Sequence, residues 1–562
     1  MLQFLVFVLL SLHASSVCHI SLSAEPQPLN YPLKELPTAG ASFSETFFVN
    51  YTGVNRSLTL QYFSGSWYNI TSFGVNYLGF SEIKVPVTAY WAHFGKNELR
   101  VVSGSCESNT LELDIVQANG VGQDALLYFV VLSSVFLILA LSKLLPSRAF
   151  VALMLVTYFA LSPFTGQRYD MFFLISSGVH ILEGVSPFGN SELYPFSLKW
   201  AYPPLYPLWS ALSFAFYSFV TKASVPQPQS LVYPGYLTST YSVWRAFAPH
   251  SLPLLAFLLK LPMLLSVFVT YFVLSKKVGQ RLAATYWLAN PLVILVGSIW
   301  GQLDPLSTAF ALLSFVEYER GRAGRAHLYA ALGASFKIWP ALLIPFYMLD
   351  TLRKKSFSFK QVLPLFPVVA LNLLVYAFYG SLLFSLFVLV YARGVPTYAG
   401  QFSVNGLTWQ WILYLLNSPP IPLFLYVAPP SYVALCYYVY KRGFDLRVLI
   451  FLIVLLFLTY NYVNPQYFVW LIPFFLLLNK RVWSVVYSVL PMVFVFLSYN
   501  LFYFVSPSLL YDYYAPSASI LEELKLWVFY QVKPLFLVVV AIAPTTCYLL
   551  TEIYLFKKKR FL

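Results

Sequence analysis

A succession of apolar stretches, closed off by small basic clusters, constrains this chain more than any other feature. Residues 125–145, 252–275, 359–380, 419–440, 483–504 and 534–556 are each long and almost free of charge. A stretch of about 20 apolar residues matches the hydrocarbon thickness of a bilayer. In lipid every backbone N–H and C=O must be paired within the segment, so such stretches are read as helices. The composition agrees. Of 562 residues, 59% are hydrophobic, 19% aromatic and only 10% charged. Soluble domains carry roughly a quarter charged residues, so an ordinary cytosolic enzyme is excluded.

The net charge of +14 raises nucleic acid as a partner. The basic residues, however, sit in short groups between apolar runs: Lys276-Lys277, Lys354-Lys355, Lys441-Arg442, Lys480-Arg481 and Lys557 to Arg560. Scattered span-end clusters suit cytoplasmic anchoring, not a basic face for nucleic acid.

Residues 1–17 have the length of a signal-peptide apolar region, although a basic start is missing. Residues 20–122 alternate apolar and polar (SLTLQYF, YNITSFGV, NELRVVSG, TLELDIV), as strands of a small β-sandwich do. Three Asn-x-Ser/Thr sequons, at Asn50, Asn55 and Asn69, fall in this region and favour an external location. Cys18 and Cys106 flank it and are placed to pair, or else to stay unpaired; with Cys436 and Cys547 they make no metal-binding spacing.

From residue 125 onward, orienting the apolar stretches by their basic ends leads to about 11 transmembrane helices. Residues 326–351, with Lys337 and Pro340 in mid-segment, read as a re-entrant pair broken near those residues. The expected fold is thus an all-α polytopic membrane protein, 125–562, carrying an N-terminal extracytoplasmic β-sandwich. Its long loops lie outside and its C-terminus is cytoplasmic.

The external loops hold the unusual polar residues. Asp170 follows a span in QRYDMFFLISSGVHILEGVSPFG, where it either compensates a helix N-terminus or acts as a general base. Asp304 ends a span in NPLVILVGSIWGQLDP, where an acid facing water is the plainer reading. Lys337 is an intramembrane cation, a candidate for neutralising a phosphate, or one that snorkels to the cytoplasmic face. Arg393, in YARGVPTY, is a second phosphate candidate or an interfacial anchor, and Lys260 a third. Gln466 and Tyr467, in NYVNPQYFVWLIPF, suit hydrogen bonding to sugar hydroxyls or closure of an Asn-Pro turn. Trp200, Trp300, Trp409 and Trp470 fall near external span ends, as interfacial aromatics do.

Taken in order, these elements resemble the GT-C glycosyltransferases that use lipid-phosphate sugars. The first-mannose transferase of glycosylphosphatidylinositol synthesis and the prokaryotic polyprenyl-phosphate-mannose transferases are the nearest likenesses. The matching residues are Arg168-Tyr169-Asp170, Gly184 to Phe188, Ala201-Tyr202-Pro203-Pro204, Asn290 to Pro305 with Gln302 and Asp304, Phe336-Lys337 with Pro340, and Gln466-Tyr467 with Trp470 and Pro473. The resemblance covers roughly residues 150–480 and implies a GT-C-like fold. It further implies an inverting hexosyltransferase, mannosyltransferase-like, drawing on a polyprenyl or dolichyl phosphate-linked sugar. Asp170 would be catalytic, and Arg168, Tyr169, Tyr202, Gln302, Asp304, Lys337, Arg393, Gln466 and Tyr467 would bind substrate. Arg168 stands where the eukaryotic enzyme has its first acid, so no metal is expected in this loop, and no cofactor. The expected partners are the lipid-linked sugar, a glycan or lipid acceptor and membrane lipids. The alternatives are a transporter or flippase of lipid-linked sugars, or a non-catalytic relative. The expected location is a prokaryotic plasma membrane.

Overall fold

The computed structural model describes residues 18–117 and 133–188 with interruptions, then 202–222, 252–379, 405–406, 423–498 except 461, and 545, 546 and 548. The chain divides into two compact units, the first built mainly from Met1–Leu127.

That first unit is made of strands. One sheet has the order β1 (His19–Ser23), β3 (Ser44–Thr52), β6 (Phe80–Pro86). The other runs β2 (Leu29–Tyr31), β9 (Leu111–Gln117), β7 (Gly95–Ser103), β4 (Leu58–Phe63), β5 (Trp67–Phe73), with β8 (Cys106–Glu107) beside β7. Alternation in the sequence becomes alternation of faces. Ile20, Leu22, Phe47 and Val49 from the first sheet meet Leu58, Leu60, Leu99, Val101, Leu113 and Ile115 from the second in one buried core. The intervening residues, Thr59, Gln61 and Arg100 among them, point the other way. Cys18 and Cys106 form a disulfide across 88 residues of sequence.

The second unit is helical. Its elements include α1 (Ser147–Leu161), α2 (Arg168–Leu182), α3 (Leu205–Thr221), α4 (Leu252–Val278), α5 (Asp304–Glu319), α6 (Ala323–Ala334) and α7 (Leu343–Arg353). Helices α2 and α3 pack closely: a β-carbon on Gly178 would lie 2.6 Å from the Ser210 backbone, so only glycine permits this approach. Between α4 and α5 the chain runs through two π-helical turns, Ala284–Leu288 and Leu295–Trp300. At the turn from α5 to α6, Arg320 and Arg322 hold the buried Glu317 carboxylate at 2.6 and 3.3 Å.

The expected 11 spans are corrected here. Among the described residues two helices are long and apolar enough to cross a membrane, Ser147–Phe164 and Leu252–Val278. A third is added if the pair Gln280–Leu288 and Pro291–Trp300, bent by 62°, is taken as one span. The physical reason lies in helix length. The apolar runs break into shorter pieces: α5 has 16 residues, α6 has 12, α7 has 11, and Leu446–Thr459 has 14. Helix Leu423–Arg442 has the length, but Pro429, Pro430 and its tyrosines lower its apolarity. The expected re-entrant pair is not among these candidates, although the chain does break where expected: α6 and α7 are short helices separated at 335–342. Two helices of this kind are compatible with a membrane protein. About half of the expected span at 125–145 and most of that at 534–556 lie outside the described residues.

Candidate active site

Four pieces of chain converge: the start of α2, the end of the second π turn with the start of α5, the break between α6 and α7, and the turn Pro465–Trp470. Gln167 caps α2, its Oε1 accepting from the Asp170 N–H at 2.7 Å, which places Asp170 in the first turn. The Gln167 N–H donates to the Trp300 carbonyl at 3.4 Å. The Trp300 indole then returns the link, its Nε1 donating to Asp170 Oδ2 at 2.5 Å. The Gln302 side chain hydrogen-bonds the same carboxylate.

Burial pushes the Asp170 carboxyl above the usual value of 3.8. The bonds from Trp300 and Gln302 and the charge of Lys337 pull it back, and the Asp304 charge adds to the rise. Burial wins because both direct donors are neutral.

Lys260 explains how Asp170 and Trp300 come to meet. Its fully buried ammonium donates to the carbonyls of Ser162 (2.9 Å), Thr165 (2.5 Å), Ser298 (2.9 Å) and Ile299 (3.2 Å) and to Thr165 Oγ1 (3.1 Å). It thereby joins the ends of the two segments that deliver Asp170 and Trp300. Gly301 follows directly, with φ of 82°, and a β-carbon there would lie 3.0–3.1 Å from the Lys260 stem. An ammonium engaged with backbone carbonyls is a clamp on the fold, not a phosphate site.

Asp304 opens α5 and is fully buried, which corrects its reading as a span-end acid facing water. Lys337, at the break, sits 2.8 and 2.7 Å from its two carboxylate oxygens, and Trp470 Nε1 donates to Oδ1 at 2.6 Å. Lys337 is 3% exposed, so it does not snorkel, and its charge is balanced by Asp304. Three rings surround the ammonium: Tyr467 at 4.7 Å, Tyr202 at 5.1 Å and Trp470 at 5.9 Å. Trp470 itself is stacked between Trp339 and Tyr467, with ring centres 5.0 and 4.7 Å away. The Leu205 N–H donates to the Ser335 carbonyl at 3.3 Å and ties the Tyr202 segment to this break. Next to Tyr467, Gln466 is 3% exposed, and its Oε1 has no hydrogen-bond partner among the described residues.

Of the residues picked out by sequence, Asp170, Tyr202, Gln302, Asp304, Lys337 and Tyr467 thus come together, with Gln466 adjoining. Arg168 and Tyr169 lie in the first turn of α2, their side chains outside the described residues. Arg393, Trp200 and Trp409 are also outside them. The sequence reading missed the Trp300 bond to Asp170, although Trp300 directly precedes the Gly-Gln-x-Asp element. It also missed the clamp at Lys260, for which a lysine in mid-span was the only signal. Among the described residues no three His, Cys, Asp or Glu side chains gather as metal ligands. No protein-family profile matches this chain, and no curated protein is significantly similar to it.

Proposed function

We propose that the chain is a glycosyltransferase moving a hexose, mannose the first candidate, from a polyprenyl or dolichyl phosphate to a glycan or lipid acceptor. It works in a membrane, a prokaryotic plasma membrane in this reading, with the β unit and Asp170 outside and the C-terminus cytoplasmic. The observation that carries the reading is the state of Asp170. A carboxylate held by two neutral donors, with its proton affinity raised by burial and a buried charge pair within electrostatic reach, is a group suited to general-base work.

The reaction follows from that group. Ionised Asp170 accepts the proton of the acceptor hydroxyl as its oxygen attacks the sugar C1 from the face opposite the phosphate. The C1–O bond breaks, the lipid phosphate departs with the electron pair, and the anomeric centre inverts. The half-buried Tyr202 ring offers an apolar face to the sugar, Tyr467 and Trp470 back the Lys337 ammonium, and the open Gln466 Oε1 accepts from one of the sugar hydroxyls. Lys337, neutralised by Asp304, is not a free countercharge for the phosphate. Its part is to hold that aromatic wall and to favour the ionised form of Asp170.

The test is transfer from a polyprenyl- or dolichyl-phosphate hexose by detergent-solubilised protein. Wild type transfers, and Asp170→Asn, which keeps the side-chain shape and leaves the Gln167 cap in place, loses about 10²–10⁴-fold. Transfer at the wild-type rate by a folded Asp170→Asn protein overturns the base assignment. Translocation of lipid-linked sugars is the second reading, favoured by the 62° break between Gln280–Leu288 and Pro291–Trp300, since transporters build sites on broken helices. Movement of the lipid-linked sugar across a liposome, with no sugar transfer, selects it.

A further inference from the structure

The sequons remain unexplained by the proposed reaction, and the two described ones differ in their setting. Asn50 lies in β3, the central strand of its sheet, paired on both sides with Ser21 and Phe80. Asn69 lies in β5, the end strand of the other sheet, in a hairpin closed by Ser64-Gly65-Ser66. An end strand at an exposed hairpin is the easiest part of a sandwich to present to a modifying enzyme.

The side chains around Asn69 are organised on the outward face. Trp67 is two residues earlier in the same strand and so shares that face. Phe63 and Gln61, across the strand pair, share it too. A relay links four strands: Arg100 Nη1 donates to Glu107 at 2.7 Å, and Arg100 Nε donates to Gln61 Oε1 at 3.0 Å. Gln61 Nε2 then donates to Asn69 Oδ1 at 2.8 Å. The Arg100 guanidinium lies 4.2 Å from the Trp67 ring centre and fixes that ring. This relay uses the oxygen of the Asn69 amide and leaves the bond-forming atom, Nδ2, outside it. Thr71 supplies the hydroxyl position of the sequon.

We infer that Asn69 is an N-glycosylation site, its amide oriented by the Glu107–Arg100–Gln61–Asn69 relay and its first sugar resting beside the Trp67 and Phe63 rings. The bond forms between Asn69 Nδ2 and C1 of a sugar carried on a lipid phosphate or pyrophosphate. The amide loses a proton, the C1–O bond breaks, and the lipid phosphate leaves with the electron pair. A sugar presents a C–H face, and an aromatic ring two residues before its attachment point on the same strand face is placed to cover it. The inference rests on the external location of the β unit and not on the transferase reading.

The experiment expresses the full chain in a host that glycosylates Asn-x-Ser/Thr and maps glycopeptides by mass spectrometry. The expected result is a sugar mass on the peptide containing Asn69, released by an endoglycosidase. Asn69→Gln and Thr71→Ala each remove one glycosidase-sensitive mobility step, the second without altering the Gln61–Asn69 bond. Trp67→Leu lowers occupancy at Asn69 and leaves Asn50 unchanged. An unmodified Asn69 beside a modified Asn50 or Asn55 overturns the assignment while the external location stands. No sugar at any of the three, in a host that modifies a control protein, overturns both.

Discussion

Two aspartates, Asp304 fully buried and Asp170 half-buried, stand close enough to feel one another, and their surroundings set them to different work. Asp304 is met by a cation, Lys337, at 2.7 and 2.8 Å and by Trp470. Asp170 is met, among the described residues, by neutral donors, Trp300 and Gln302. A carboxylate paired with an ammonium at this distance makes a fixed strut. One desolvated by burial, with neutral amide and indole donors that only partly offset it, keeps a raised proton affinity and can exchange its proton. Side-chain identity is the same at both positions; the partner decides the role.

The contrast breaks most visibly at Lys337. Lys337→Met leaves Asp304 buried and uncompensated, and the expected loss of stability is about 3–5 kcal/mol. Adding Asp304→Leu to that variant restores most of it, because no charge then remains to be buried. Denaturation in detergent followed by tryptophan fluorescence reads both. A single variant as stable as wild type denies that the pair is a strut. Asp170→Asn is the converse case: activity falls by about 10²–10⁴-fold while folding is unchanged or improved. Assaying transfer and thermal unfolding on one preparation separates the two effects.

Trp300→Phe is a smaller change. It removes a hydrogen bond that favours the ionised Asp170, of a class worth about 1.5–3 kcal/mol. The acidic limb of the activity profile should therefore move to higher pH, with the alkaline limb in place. An unmoved acidic limb denies that the indole tunes the base. The weakest effect is on stability against pH. The folded carboxyl of Asp170 sits above its unfolded value, so the folded chain holds that proton more tightly. Its contribution is fully present below the ordinary carboxylate range and fades as pH rises through the folded value. Comparing Asp170→Asn with wild type across that interval isolates it, and the variant gains relative stability toward neutral pH.

How much of this was legible in the sequence differs from one element to the next. The β unit was, because alternation in runs such as SLTLQYF translates directly into one buried face, with Leu58 and Leu60 inward. The candidate site residues were visible as polar exceptions in apolar surroundings. Their partnerships were not: Asp304 and Lys337 are 33 positions apart, and Asp170 and Trp300 are 130 apart. Such pairings depend on where α6 ends and on how the π turn closes, which no local pattern encodes. The span count failed for another reason. Hydropathy marks where an apolar run lies but not where its helix stops, and the runs at 305–319 and 326–351 yield helices of 16, 12 and 11 residues.

The disulfide between Cys18 and Cys106 carries a further consequence. Strand β1 ends its sheet, pairing with β3 on one side only. An end strand is the segment most readily traded between two copies of a protein, each donating its strand to the other's sheet. Anchoring β1 to β8 within the same molecule closes that route, because the strand cannot leave without first being reduced. In an oxidising compartment the β unit is thereby committed to self-contained folding, and reduction alone would open it to strand exchange.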